Sequence, residues 1–168
     1  IEKKLEKEGI NLSKPIVLMT LGSEYISKWT RDICDKRKYQ LVAIEDLNRY
    51  AHYSLCDKLD ILEWADIFRL AKFCITSRFH GTIFSLKNQL PVLMIDQNRS
   101  KKTKMTSLEE DFEISFSYSR EQEIKTQEIL ERKIDNIFKV WDGKIIKKIT
   151  DKQRDKLNEY AKKISSIV

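Results

Sequence analysis

The chain has 168 residues, of which 41% are hydrophobic and 35% charged, and its formal net charge is +6. This length suits one α/β domain with a buried core and is too short for two large domains. No stretch approaches the roughly 18 uncharged apolar residues that a membrane span requires. The three cysteines, Cys34, Cys56 and Cys74, lack the spacing of a metal site, and their odd number is typical of a reducing compartment. We therefore expect a cytoplasmic protein without a bound metal.

The first predicted elements form a βαβ unit. Ile16–Leu21 is a continuous apolar run after Pro15, which is typical of a strand covered on both faces in a parallel sheet. Glu24–Lys36 follows with the apolar spacing of a helix, and Gln40–Ile44 is a second apolar run. The connection between parallel strands is almost always right-handed.

The middle of the chain continues this alternation. Asp60–Ala71 is predicted as a helix, because Asp60 and Glu63 stand at the spacing of a capping box. Phe73–Thr76 is a short buried strand, a helix is expected from Thr82 to Lys87, and Val92–Ile95 is the fourth strand. Together these elements predict a Rossmann-like α/β fold with a mostly parallel, doubly wound sheet.

The C-terminal part is predicted to be mainly helical. Residues 97–113 read as a polar loop with a short helix, and Phe116 is assigned to an edge strand. Gln127–Trp141 has strong helical periodicity and is expected to stop at Gly143. A last helix is expected from Thr150, which forms a capping box with Gln153. We therefore describe residues 1–168 as one domain, with 126–168 as helices that pack on it.

The residues that carry chemistry follow the third strand. In open parallel sheets ligands bind at the carboxyl edge of the strands, and a helix N-terminus there favours phosphate or carboxylate. Arg78 adds a planar fork for anions, and His80 adds a side chain that titrates near neutral pH. The candidate substrate-binding residues at this edge are Ser77, Arg78, Phe79, His80, Gly81, Thr82, Gly22, Ser23 and Lys104.

The same segment resembles a known family. Ile75–Leu86 reads ITSRFHGTIFSL and is followed by Pro91 and Ile95–Asp96, a pattern similar to the signature of the polysaccharide pyruvyl transferases. The likeness spans the residues from Ile16 to Asp111 and so includes the preceding βαβ unit. A lysine soon after the following strand is in keeping with the family, here Lys101, Lys102 or Lys104.

The resemblance implies a fold and an activity. Members resemble two-lobed glycosyltransferases of the B type and transfer pyruvate from phosphoenolpyruvate to a sugar as a ketal, without a further cofactor. The family's Arg-x-His motif maps onto Arg78 and His80, which become the expected catalytic residues. The implied partners are phosphoenolpyruvate, a nucleotide- or lipid-linked sugar acceptor, and an N-terminal lobe that this chain lacks. The isolated chain is therefore expected to be inactive or nearly so.

Two other interpretations stay open. One is the lobe of a glycosyltransferase that binds a nucleotide sugar, although no acidic residue for a ribose is obvious in the sequence. The other is a non-catalytic α/β module with a basic C-terminal face, since residues 144–168 contain eight Lys or Arg and three acids. Such a face favours an anionic membrane surface, and peripheral association at the inner face of the membrane is left open. Aromatic residues do not alternate with the basic ones as RNA binding requires, so we expect no nucleic-acid partner.

Overall fold

A computed structural model of the chain describes residues 1–45, 47–98, 100 and 102–165. Lys101, one of the three lysines considered above, lies outside these residues. The helices are α1 Glu2–Lys7, α2 Glu24–Arg37, α3 Ile61–Asp66, α4 Phe79–Lys87, α5 Lys104–Phe112, α6 Gln127–Val140 and α7 Gly143–Ser165. The strands are β1 Ile16–Thr20, β2 Gln40–Ala43, β3 Tyr53–Ser54, β4 Phe73–Thr76, β5 Val92–Asp96 and β6 Tyr118–Arg120.

The six strands form one sheet in the order β3-β2-β1-β4-β5-β6, and every neighbouring pair is parallel. The chain builds outward from β1 to β3, returns to the other side of β1, and then builds outward from β4 to β6. The direction in which strands are added to the sheet therefore reverses between β1 and β4, and open α/β sheets bind ligands at such a point. The predicted Rossmann-like parallel sheet is confirmed.

The sheet is covered on both faces, as the continuous apolar runs predicted. Every residue of β1, β2, β4 and β5 is buried. Alternate residues of β1 point to opposite faces of the sheet. Leu18 packs on one face with residues of α4, α5 and α7. Val17 and Met19 pack on the other face with residues of α2 and α6. The helices that follow the strands therefore hold the sheet between two apolar layers.

Several boundaries differ from the prediction. The helix expected to run from Asp60 to Ala71 ends as an α-helix at Asp66 and continues as a 3₁₀ turn to Leu70, although its predicted capping box is present. Phe116 lies in a 3₁₀ turn, and the edge strand is β6, two residues later. The loop after β5 contains a nine-residue helix, α5, whose start is set by a capping box at Thr103.

The start of the last helix was predicted wrongly. Gly143 does not stop α6 but begins α7, because the Asp142 carboxylate accepts a hydrogen bond from the Lys144 N–H at 2.8 Å and so caps the new helix. Thr150, the predicted cap, lies inside α7 and donates its hydroxyl to the Ile146 carbonyl. Ile146 is buried against the core, so the first turns of α7 pack on the domain.

Candidate functional site

The carboxyl ends of β1 and β4 lie side by side at the point where the sheet changes direction. Thr20 and Thr76 are register partners, and their hydroxyls are hydrogen-bonded to each other. The Ser77 N–H continues the ladder by donating to the Thr20 carbonyl at 2.9 Å. The turn after β4 therefore lies at the predicted edge of the sheet, next to the Gly22-Ser23 turn that follows β1.

The helix after β4 starts three residues earlier than predicted. Arg78 is its N-cap residue with an extended backbone, and α4 begins at Phe79 instead of Thr82. The Arg78 side chain makes no capping hydrogen bond. The turn is held instead by the Thr76 hydroxyl, which accepts a hydrogen bond from the Arg78 N–H at 2.9 Å. As a result His80 and Gly81 belong to the first turn of α4, where helix N–H groups lack intrahelical acceptors.

Two side chains contact the exposed ring of Phe79, those of His80 and Lys104, and Arg78 precedes this residue in sequence. Arg78 and His80 flank it in sequence and are both exposed, and the His80 ring meets the Phe79 ring edge to face at 5.8 Å between centroids. The Lys104 ammonium lies 6.0 Å from the centroid of the Phe79 ring, at the limit of a cation–π contact. The structure thus brings Lys104 to the Arg78–His80 turn across 24 residues of sequence.

Gly81 and Thr82 are buried residues that hold the turn in place. A Cβ atom on Gly81 would lie 2.5 Å from the Thr76 Oγ1 and 3.0 Å from the Thr20 Oγ1, so this glycine is needed for close packing against β1 and β4. Its selection as a substrate-binding candidate rested on its place at the sheet edge. Thr82 is fully buried and its hydroxyl donates to the Arg78 carbonyl at 3.3 Å. Contact between the backbone of these two residues and a substrate stays a prediction.

The turn after β1 contributes one exposed and one buried residue. Gly22 is exposed and borders an open cleft lined also by Glu24, Asn48 and Tyr50. Ser23 is buried, with 4% of its surface exposed, and its carbonyl accepts bonds from the Ser27 N–H and hydroxyl. Gly22 is therefore open to a ligand, whereas Ser23 holds the start of α2.

Glu45 is a residue of this edge that sequence reasoning missed. It stands two residues after β2, and its Oε2 lies 3.2 Å from the Arg78 Nε, an ion pair between two partly exposed side chains. An acidic residue directly after a buried strand was the available signal, because the ends of parallel strands meet at one edge. The candidate site thus holds a carboxylate beside its main anion-binding candidate.

His52, the only other histidine, has a structural role. Its Nδ1 accepts a hydrogen bond from the Leu41 N–H at 2.9 Å, and its Nε2 lies 2.7 Å from the Asp35 Oδ1. Burial raises the pKa of Asp35, but hydrogen bonds from Arg31 and His52 outweigh that effect, so the pKa lies below its usual value.

Among the described residues no three His, Cys, Asp or Glu side chains are grouped as metal ligands. No helix in the described ranges is both long and apolar enough to cross a bilayer.

The fold defines a class of protein. An all-parallel six-stranded sheet with this strand order, flanked by helices on both faces, is a Rossmann-like domain. The family model described as polysaccharide pyruvyl transferase matches residues 7–99, more than half of the chain. The chain therefore belongs to the polysaccharide pyruvyl transferase family. No match to it was found among curated proteins.

Proposed function

We propose that this chain binds phosphoenolpyruvate at the Arg78–His80 turn and contributes to the transfer of pyruvate, as a ketal, onto a sugar of a surface polysaccharide or its precursor. The observation that carries the proposal is that His80 and Lys104 contact Phe79 at the start of α4, directly after Arg78, in a chain of this transferase family. The N-terminus of α4 at the same place favours negative charge.

The chemistry of the donor matches these groups. Phosphoenolpyruvate carries a carboxylate and a phosphate, so its binding site needs several positive charges. The Arg78 guanidinium suits bidentate binding of either group, and Lys104 supplies a compact charge near the Phe79 ring. Since Glu45 already pairs with Arg78, the donor must join or replace this carboxylate when it binds.

The reaction assigns roles to Arg78 and His80. A proton is added to the methylene carbon of the donor, and a sugar hydroxyl attacks the neighbouring carbon and gives up its proton. The bond between this carbon and the phosphate oxygen then breaks, and inorganic phosphate leaves with one of the released protons. A second hydroxyl of the same sugar then attacks that carbon and loses its proton, which completes the ketal. Arg78 stabilises the negative charge of the donor and the leaving phosphate. His80 acts either as the general acid or as a phosphate ligand.

The proposal includes partners beyond the donor. The family resemblance implies a second lobe facing the Arg78 edge, which would help to bind a nucleotide- or lipid-linked acceptor. Leu47, in the loop that lines the cleft beside Gly22, is 83% exposed and offers an apolar contact to such a lobe. The odd number of cysteines in the sequence is typical of a reducing compartment, so we place the reaction in the cytoplasm, with a lipid-linked acceptor bringing it to the inner face of the membrane.

A nucleotide-sugar lobe is the competing function, and one observation favours it. Glu45 stands at the end of β2, where dinucleotide-binding folds place the acid that binds a ribose hydroxyl. Against it, Glu45 is paired with Arg78, and the turn after β1 has one glycine where the dinucleotide fingerprint has three.

Thermal-shift titrations with phosphoenolpyruvate, uridine diphosphate and guanosine diphosphate separate the two functions. We expect phosphoenolpyruvate to raise the melting temperature, and Arg78→Lys to remove most of that shift despite keeping the charge, because lysine lacks the planar fork. Lys87→Arg, at the far end of α4, is the matched control and should leave the shift unchanged. Stabilisation by the diphosphates alone would contradict the proposed donor.

A further inference from the structure

Asp96 is a buried carboxylate at the carboxyl end of β5, with 3% of its surface exposed. Its Oδ2 accepts hydrogen bonds from the Thr103 hydroxyl at 2.5 Å and from the Tyr118 hydroxyl at 3.1 Å. Its Oδ1 accepts the Asn98 N–H at 2.9 Å. These three donors offset the cost of burying the charge and tie together β5, β6 and the loop before α5.

Thr103 connects the buried Asp96 carboxylate to α5. Its hydroxyl donates to Asp96 and accepts the Thr106 N–H at 3.1 Å, while the Thr103 N–H donates to the Thr106 hydroxyl at 2.8 Å. One hydroxyl therefore joins the buried carboxylate to the first turn of the helix. Met105 packs its side chain into the core, with its sulfur 3.9 Å from the Thr82 hydroxyl.

Lys104 lies between these two fixed residues as the first residue of α5. Its neighbours Thr103 and Met105 are held by Asp96 and by the core, so the direction in which Lys104 leaves the backbone is set by the anchor. The lysine side chain is exposed and places its ammonium 6.0 Å from the centroid of the Phe79 ring. A long flexible side chain gains most in binding when its backbone origin is fixed.

We propose that Asp96, through its hydrogen bonds to Thr103 and Tyr118, is a positioning residue that holds Lys104 at the Arg78 turn so that the lysine binds the anionic donor. This inference rests on the proposed function, because the donor is the ligand that Lys104 would meet. Asp96 itself is buried and acts through Thr103, without touching the donor.

A double-mutant cycle tests the proposal, with phosphoenolpyruvate as the probe and calorimetry on the 168-residue chain. Lys104→Met should weaken binding about three- to fivefold, the range of a partly exposed charge interaction. Asp96→Asn keeps the shape but lacks the oxygen that accepts from Thr103 and Tyr118, and it should weaken binding about two- to threefold. In the Lys104→Met background, Asp96→Asn should have no further effect on the dissociation constant.

Two controls separate positioning from a general loss of structure. Irreversible unfolding of part of the sample lowers the calorimetric stoichiometry without changing the dissociation constant, and reversible unfolding is excluded if circular dichroism shows the variant fully folded at the assay temperature. Hydrogen exchange needs no ligand, and Asp96→Asn should speed the exchange of the Thr106 N–H relative to the Ser107 N–H, which bonds to the Thr103 carbonyl instead. Lys87→Met, at the far end of α4, should bind the donor like the parent chain.

The outcomes distinguish this inference from the function on which it rests. If binding depends on Arg78 but Asp96→Asn weakens it equally with and without Lys104, the positioning role is wrong and the donor assignment stands. An unchanged affinity in Asp96→Asn, in a chain where Lys104→Met weakens binding, overturns it as well. If the parent chain does not bind phosphoenolpyruvate, the proposed function fails and the positioning role fails with it.

Discussion

The packing of Gly81 against the two strands makes a quantitative prediction about stability. A methyl group at this position would lie 2.5 Å from the Thr76 Oγ1, 3.0 Å from the Thr20 Oγ1 and 3.2 Å from the Thr76 Cβ. The side chain of Thr76 is β-branched and hydrogen-bonded, so it has little freedom to move away. Gly81→Ala must therefore displace the start of α4 from the sheet.

The expected cost follows from two opposing effects. Inserting a methyl group into a tightly packed site costs about 1–3 kcal/mol. Replacing a helical glycine by alanine stabilises the helix by up to about 1 kcal/mol, because alanine loses less backbone entropy on folding. We therefore expect Gly81→Ala to lower the free energy of unfolding by about 1–2 kcal/mol, which corresponds to a fall in melting temperature of about 2–8 °C for a chain of this size.

Urea unfolding followed by circular dichroism measures this cost, with Gly22→Ala as the matched control. A Cβ atom on Gly22 would meet only the Gln97 Oε1 at 3.6 Å, an ordinary contact, so the control should stay within about 0.5 kcal/mol of the parent. Because Thr76 supplies the closest atoms, Gly81→Ala should cost less when Thr76 is replaced by alanine. A Gly81→Ala chain as stable as the parent would refute the packing argument.

Three further predictions concern charges and thiols. Glu45→Gln removes the carboxylate that pairs with Arg78, so calorimetry should show phosphoenolpyruvate binding about two- to fivefold more tightly; weaker binding would mean that Glu45 orients Arg78 instead. Burial, reinforced by Asp96, raises the pKa of Tyr118 to about 12. Since the unfolded phenol ionises near pH ~10, the folded state keeps its proton longer, and stability should fall as the pH rises from about 10 towards 12; Tyr118→Phe should flatten this fall, and an unchanged slope would argue against it. Burial raises the pKa of both Cys34 and Cys74 to about 12, so a thiol reagent should label only the partly exposed Cys56 in the native chain and all three after unfolding. Rapid labelling of Cys74 in the native state would contradict its complete burial.

The sheet was predictable from the sequence because its strands are buried on both faces. Phe73–Thr76 was placed with its true bounds, and the other three main strands were placed to within one residue. The short strand β3 escaped prediction and β6 was expected two residues too early, at Phe116, since two or three residues at the sheet margin carry no apolar run.

Helix starts were predicted with and without a side-chain cap: the start of α2 at Glu24 was placed correctly although Ser23 makes no capping hydrogen bond. Asp60 was found because its carboxylate accepts from N–H groups two and three residues on. The start of α4 was missed because Thr76, which lies in the preceding strand, holds the turn. Thr150 has the spacing of a cap, but its hydroxyl bonds to a carbonyl inside α7.

The composition of the site was only partly predictable, since it depends on contacts between distant segments. The place of Arg78 and His80 at the carboxyl edge of the sheet was predictable because they follow a buried strand. The pairing of Glu45 with Arg78 and the approach of Lys104 to Phe79 follow from strand order and from the anchored start of α5, neither of which a local pattern shows. The burial of Ser23 and Thr82 likewise depends on how α2 and α4 pack on the sheet.

The central claim, that phosphoenolpyruvate binds at the Arg78–His80 turn, is tested most directly by amide chemical shifts. In a titration of the ¹⁵N-labelled 168-residue chain with phosphoenolpyruvate, we expect saturable shifts of the Phe79, His80 and Gly81 N–H groups and of the Arg78 Nε–H, because these groups converge at the start of α4. The same shifts should be much weaker in Arg78→Lys. Shifts confined to the basic residues of α7, or none at saturating donor, would contradict the account.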